Sequence, residues 1–216
     1  MDPEVTLKIN EFFSKYPLRS YPKGQIIIFG GEDPDYIYHL VKGKVRQYDI
    51  SYRGDEVVVN IFKPPAFFPM SYGINRTPNK YFFKTEEPTE IRIANVDETV
   101  EFLKSNADVT FDLLSRLYRG TDALLGRIVH LMSGSAKSRL LYELIIECRR
   151  FGKESGENSY TLSINEGDLA ARSGLSRETV SRAISKLKEE NLIELNKQGI
   201  TVKNLKACEQ KIGLEI

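Results

Sequence analysis

Residues 165–192 read NEGDLAARSGLSRETVSRAISKLKEENL. Two short helices and a tight turn follow from this stretch. Asn165 is placed to cap the first helix, and Asp168, three residues on, completes a capping box. That helix is expected over Glu166–Arg172. Ser173-Gly174-Leu175 supplies the turn, because glycine tolerates a positive φ. Ser176 caps the second helix. Within it Val180, Ile184 and Leu187 fall at i, i+4 and i+7 and face inward, while Ala170 is small enough to let the two helices approach. The pattern is a helix-turn-helix whose second helix would enter a DNA major groove by its N-terminal end.

The outer face of that second helix suits nucleobases. Arg177, Glu178, Ser181 and Arg182 occupy its first two turns. Arginine meets guanine O6 and N7 with two hydrogen bonds, and glutamate accepts from cytosine N4. Between Arg172 and Lys188 five side chains are basic (Arg172, Arg177, Arg182, Lys186, Lys188) and one, Glu178, is acidic. The whole chain carries 31 basic and 30 acidic residues for a net charge of +1, so any nucleic-acid site must be local. A merely solvated amphipathic helix would not require caps, turn, core spacing and polar face to agree as they do. Leu192–Leu195 and Ile200–Val202 then read as strands joined by Asn196-Lys197-Gln198-Gly199. This hairpin is a wing, placing Lys197 near a phosphate. Asn204 caps a final helix to about Lys211.

Upstream, Leu140, Leu141, Leu144, Ile145 and Cys148 form the inner face of a helix that starts near Ala136 and ends at Phe151-Gly152. A polar loop over Lys153–Ser159 and a strand over Ser159–Ile164 connect it to the motif. A long helix from about Asp108 to Met132 precedes it, spanning roughly 37 Å. Leu114, Leu117, Thr121, Leu124, Ile128 and Leu131 step by alternating threes and fours along it, an a/d seam that wants a partner helix. Leu125 and Val129 broaden the stripe. Two readings stand: a dimer seam, or a helix lying on its own domain's sheet. Ser133-Gly134-Ser135 breaks the pattern and reads as a hinge.

The zone from about residue 18 to 96 reads as strands: Gln25–Phe29, Tyr36–Val41, Lys44–Ile50, Glu56–Phe62, Tyr81–Lys84 and Glu90–Ala94, punctuated by glycine and proline. That spacing suggests a barrel or sandwich. A short helix with Val5, Ile9, Phe12, Phe13 and Tyr16 on one face precedes it, and another over Val96–Leu103 follows. Of 216 residues 41% are hydrophobic and 28% charged, an ordinary globular balance. Two cysteines, Cys148 and Cys208, exclude a disulfide scaffold and a CxxC zinc site. No apolar run approaches the ~20 residues of a membrane span, and the N-terminus lacks the features of a signal peptide, so a cytoplasmic protein is expected.

Strand-rich roll, long helix, hinge and winged helix-turn-helix containing SRETVSR together resemble the CRP/FNR family of bacterial transcription regulators. YIYHLVKG at residues 36–43 is similar to the family's strand and turn in the cyclic-nucleotide roll. The resemblance implies an α+β architecture: an N-terminal antiparallel β-roll (a double-stranded β-helix, jelly-roll-like) over residues 1–107, a dimerisation helix with hinge over 108–135, and a C-terminal winged helix-turn-helix over 136–216. It implies a homodimer reading a palindrome with a TGTGA-like core. Arg177, Glu178 and Arg182 would be its base readers, with Ser176, Thr179 and Lys186 on the backbone. RNA polymerase is the further partner it implies. Gly167 departs from the family at a position where cyclic-AMP receptors carry a polar backbone contact.

A gapless comparison with the family's cyclic-AMP cassette places Pro69-Met70 at the Gly-Glu pair, Lys80-Tyr81 at the Arg-Ser pair and Leu124-Leu125 at the Thr-Ser pair. Met70 cannot accept ribose hydroxyls, Lys80 offers a point charge without a fork, and leucines leave adenine's polar edge unpaired. No cyclic-AMP binding is expected. The family's iron–sulfur sensors need an N-terminal cysteine cluster, and residues 1–147 contain no cysteine. His39 reads as structural, His130 as surface or interface, Cys148 as core, and Cys208 lacks context for a redox role; neither haem, iron–sulfur nor metal ligation is expected.

Aromatic residues and prolines replace the cassette. Either they fill the roll, or they leave an apolar effector pocket lined by Phe68, Met70, Tyr72, Lys80, Tyr81, Leu124 and Leu125, with Asn75, Arg76 and Lys80 at its rim for an acidic ligand. The alternatives to a regulator are a ligand-gated protein–protein adaptor and a cupin-like metal oxygenase. The latter needs two or more histidines, and His39 is the one histidine among the strands, so no enzyme is expected.

Overall fold

The computed structural model describes residues 2–197 and 199–214. The chain divides into two compact units between Tyr118 and Arg119. The first begins with α1 (Pro3–Ser14), capped by the Asp2 carboxylate on the Glu4 N–H. Strands β1 (Leu18–Tyr21), β2 (Ile26–Ile28), β3 (Tyr36–Lys42), β4 (Val45–Ile50), β5 (Glu56–Phe62) and β6 (Ala66–Phe68) follow, then the short α2 (Met70–Asn75). β7 (Phe82–Thr85) and β8 (Thr89–Asn95) complete the strands, and α3 (Val96–Ser105) leads into the long α4 (Ala107–Ser133).

The strands form two antiparallel four-stranded sheets, ordered β1-β8-β3-β6 and β2-β7-β4-β5. Inward-facing residues meet between the sheets: Ile28, Val45 and Phe83 from one, Leu40, Phe68 and Ile91 from the other. A second core lies on the opposite face of the β1-β8-β3-β6 sheet. There Ile9, Phe12 and Phe13 of α1 and Val96 and Leu103 of α3 cover Ile37, Phe67 and Ala94. The roll and both flanking helices are where the sequence puts them. β1, β6 and α2 have no counterpart in that reading: β1 is mostly exposed, β6 spans three residues after Pro64-Pro65, and α2 is a six-residue helix.

His39 sits on β3 in the second core, buried, with its ring stacked on Phe13 at 4.4 Å between centroids. Burial, aided by the charges of Arg92 and Arg116, pushes the imidazole down to about 4. The folded protein keeps His39 neutral where the unfolded chain, with its ordinary value near 6.5, takes up a proton. Stability held above pH 6.5 is therefore lost as pH falls from 6.5 towards about 4. Urea unfolding across that window should show the loss, and a His39→Phe variant should flatten it; equal slopes in the two proteins would assign the acid sensitivity to other groups.

The second unit takes in the C-terminal half of α4. α5 (Ala136–Phe151) starts after the Ser133–Ser135 break with Ser135 as its cap. β9 (Lys153–Gly156), β10 (Ser159–Leu162), α6 (Glu166–Ser173), α7 (Arg177–Glu189), β11 (Ile193–Asn196), β12 (Gly199–Val202) and α8 (Leu205–Lys211) follow. The sheet order is β11-β12-β10-β9, all antiparallel. β9 corrects the expected polar loop: Lys153–Gly156 is a fully exposed edge strand, and with both faces in water it carries no apolar alternation to betray it. The core joins Leu140, Leu141, Leu144, Ile145 and Cys148 of α5 to Leu169, Val180, Ile184, Leu187, Ile200 and Cys208. No helix among the described residues is long and apolar enough to cross a membrane.

Candidate nucleic-acid interface

The helix-turn-helix is built by its caps. Asn165 Oδ1 accepts from the Asp168 N–H at 2.9 Å, and Ser176 Oγ accepts from the Thr179 N–H at 3.2 Å. Gly174 closes α6 in the left-handed region at φ 65°, which turns the chain into α7. Val180, Ile184 and Leu187 are buried on the inner face of α7, and Ala183 lies with them. The same helical period sends Arg177, Glu178, Ser181, Arg182 and Lys186 to the solvent, with Thr179 half-buried beside its cap. Arg182 Nη1 lies 3.7 Å from Glu178 Oε1, an exposed i,i+4 pair of little energetic weight that leaves both groups available to other partners. The Arg177 guanidinium lies by the start of α6, where Gly167 leaves space: a β-carbon there would sit 3.5 Å from Nη2.

The wing is the antiparallel pair β11–β12, with Asn196 opposite Gly199 and Lys197 exposed after β11. Gln198 lies outside the described residues. Asn196 Nδ2 donates to Thr201 Oγ1 at 2.8 Å across the hairpin. Gly199 adopts φ 131° and passes so close to β10 that a β-carbon would stand 2.1 Å from the Leu162 carbonyl oxygen. Position 199 therefore tolerates no side chain, and this close approach holds the wing against the sheet.

Arg172 corrects the tally of the basic face. It turns inward, 9% exposed, and pairs with the equally buried Glu147 of α5. Charge counting along the chain cannot separate an inward arginine from an outward one. The signal lay in α5, where Glu143 and Glu147 recur on the same face as the apolar residues. Glu190, at the C-terminal end of α7, is held by Lys137 at 2.7 Å and by Lys211, and these two ammonium groups pull its carboxyl down to about 2.

The candidate effector residues of the roll are divided between two cores. Phe68 and Tyr81 belong to the core between the sheets, whereas Met70 and Tyr72 on α2 pack into the core under α1 and α3. Lys80 is exposed, and Arg76 forms an exposed ion pair with Asp97. Leu124 and Leu125 are exposed on α4. Between the sheets the Phe68 ring stacks on Phe62 at 4.7 Å, Phe83 at 5.1 Å and Tyr38 at 6.0 Å. Of the two sequence readings, this geometry matches a roll filled by its own rings. A groove lined by Phe12, Tyr16, Glu98 and Phe102 lies elsewhere, between α1 and α3.

On α4 the seam residues Leu114, Leu117, Thr121, Leu124 and Ile128 are exposed and Leu131 is half-buried; Leu117 is 62% exposed. Within the helix Val109 alone is fully buried among the described residues. Leu114 and Leu117, the seam residues of the first unit, are thus not laid on that unit's sheets. Cys148 and Cys208 are both buried, and burial pushes their thiols up to about 12 and 11, far from reactive thiolates. His130 is half-buried, its ring 4.5 Å from that of Tyr142.

A capped helix-turn-helix with a wing, its second helix presenting guanidinium groups outward, defines a DNA-binding protein of the winged-helix class. Residues 138–210 match the Crp-like helix-turn-helix domain family and residues 18–106 the cyclic nucleotide-binding domain family. The global nitrogen regulator of Synechocystis sp. is 26% identical over 201 residues, which cover 90% of this chain and 88% of that protein. The cAMP-activated global transcriptional regulator CRP of Haemophilus influenzae is 22% identical, over 88% of this chain and 86% of that protein. A solved structure of a CooA mutant from Carboxydothermus hydrogenoformans shares the fold with a TM-score of 0.81 at 18% identity, covering 96% of this chain and 95% of that one. The chain belongs to the CRP/FNR family of transcription regulators.

Proposed function

We propose that this chain works as a homodimer that reads a palindrome of TGTGA-like half-sites, with Arg177, Glu178 and Arg182 at base edges. Ser181 lies beside them on the same face, while Ser176, Thr179, Lys186 and the wing residue Lys197 would hold the surrounding backbone. The observation that carries this reading is the face of α7: its inner side is buried while Arg177, Glu178 and Arg182 stand in solvent at its N-terminal end. Two such helices related by a dimer axis would meet major grooves about 34–36 Å apart. Selection from random DNA should recover a two-fold symmetric site; recovery of no sequence preference would remove the reading.

The exposed seam of α4 supports pairing with a second copy, since a coiled-coil face left in water has no stabilising partner. Leu117→Ala should weaken dimerisation at least tenfold, read by sedimentation equilibrium. An unchanged association constant would take the dimer away from this seam.

The sensor roll of this regulator would not respond to cyclic AMP. Its two sheets enclose stacked phenylalanines, and by the family resemblance Met70 and Lys80 would stand where other members carry the groups that recognise ribose and phosphate. Calorimetry with pure protein should detect no cyclic-AMP binding; micromolar affinity would overturn this. RNA polymerase is the remaining partner of this reading, the cytoplasm its compartment, and catalysis no part of it.

A further inference from the structure

We propose that Glu143 and Glu147 splint the junction between the long helix and the helix-turn-helix, which makes Arg127 and Arg172 positioning residues for the DNA-reading helix. The proposal depends on the role given above to α7. Both carboxylates lie on the inner side of α5, one helical turn apart and buried, 4% and 7% exposed. Glu143 receives two hydrogen bonds from the Arg127 guanidinium on α4, 2.6 Å from Nε and 2.8 Å from Nη2. Glu147 receives one from Arg172 on α6. One α5 face thus holds α4 by one carboxylate and the first helix of the helix-turn-helix by the other.

The Arg127–Glu143 pair does not act alone across the Ser133–Ser135 break. The Tyr142 hydroxyl donates to the Ala123 carbonyl at 2.9 Å, in space that Gly126 leaves open: a β-carbon on Gly126 would stand 2.4 Å from that hydroxyl oxygen. The His130 ring lies against Tyr142, and Arg139 Nε donates to the Gly134 carbonyl at 3.1 Å. Residues 119–133 of α4 accordingly belong to the same compact unit as the winged helix. The segment that reads as a hinge in the sequence is bridged on its inner side.

Buried ion pairs add little net stability, because desolvation offsets their attraction. A two-point fork between guanidinium and carboxylate does fix an angle, which a single point charge does not. Burial raises the Glu143 carboxyl against the pull of Arg127, whose two-point contact is the polar partner shown for it on α4. The pairs therefore set how α5 and α6, and with them α7, are aimed from the end of α4.

Hydrogen exchange on the full-length protein tests this, beside DNA affinity measured with the duplex recovered by site selection. In Arg127→Gln, amides of residues 133–139 should exchange at least tenfold faster while those of 180–187 keep their protection, and affinity should fall at least fivefold. Arg127→Lys, keeping the charge but not the fork, should restore part of each. Should Arg127→Gln fail to fold, the double variant Arg127→Met with Glu143→Gln removes both charges and carries the same expectations. Unchanged exchange at 133–139 would overturn the splint. So would acceleration spread evenly over the second unit, which would make the pair a support of the head's fold only. Absence of any selected duplex would sink the DNA-reading role, and the exchange arm would still decide the splint.

Discussion

Phe68→Ala should cost the roll about 3–5 kcal/mol of stability, the range for emptying a fully buried aromatic site. Phe68 on β6 is completely buried and stands at the centre of a stack with Phe62, Phe83 and Tyr38, drawn from both sheets. Aromatic stacking adds to the burial of its area. Strands hydrogen-bonded on both sides of the gap cannot collapse into it, so a cavity remains and the side chains lining it have nothing to pack against. The measurement is urea unfolding followed by near-ultraviolet circular dichroism of the tyrosines and phenylalanines. A loss below about 1 kcal/mol would mean that the ring is dispensable to the core, and an apolar effector pocket would become the better account. A full loss that an added small aromatic compound partly reverses would show that the space is shaped for a ring and ordinarily occupied by this one.

Arg177→Ala should weaken binding to the selected duplex by about 1–3 kcal/mol, roughly 5- to 150-fold, at fixed salt. Arg177 lies in the first turn of α7, exposed, with its guanidinium beside Gly167. A bidentate contact to guanine carries sequence information, so the substitution should also relax base choice at one position of each half-site. Fluorescence anisotropy with the selected duplex and with single-position variants reads both effects. If the loss is the same on a scrambled duplex, Arg177 holds a phosphate and Arg182 becomes the leading base reader. The salt dependence separates the two cases, since removing one cation from a phosphate lowers the slope of log affinity against log salt by about 1.

The winged helix was legible at the level of single caps. Asn165, Ser176 and Asn204 each accept the backbone N–H that their positions imply, and Gly174 takes the left-handed conformation the turn requires. Glu56–Phe62 is a strand over the residues expected. The residues that misled are those whose partners lie far away in the chain. Arg172 looked like a member of the basic face, but its partner is Glu147, on another helix. Lys153–Gly156 looked like a loop because an exposed edge strand has no apolar alternation, and its existence depends on β10 pairing with it.

Caps, turns and the periodicity of apolar residues act between residues a few positions apart, and they were enough to specify the helix-turn-helix, the long helix and most strands. Which core receives each side chain is a different kind of question, because it depends on what another element sets opposite. Folding thus parted Phe68 from Met70 and Tyr72, two to four positions on in the chain, by putting them in separate cores, and joined Arg127 to Glu143 across a break that looked free to bend. Burial selects partners by proximity in space, and no pattern along the chain encodes that directly.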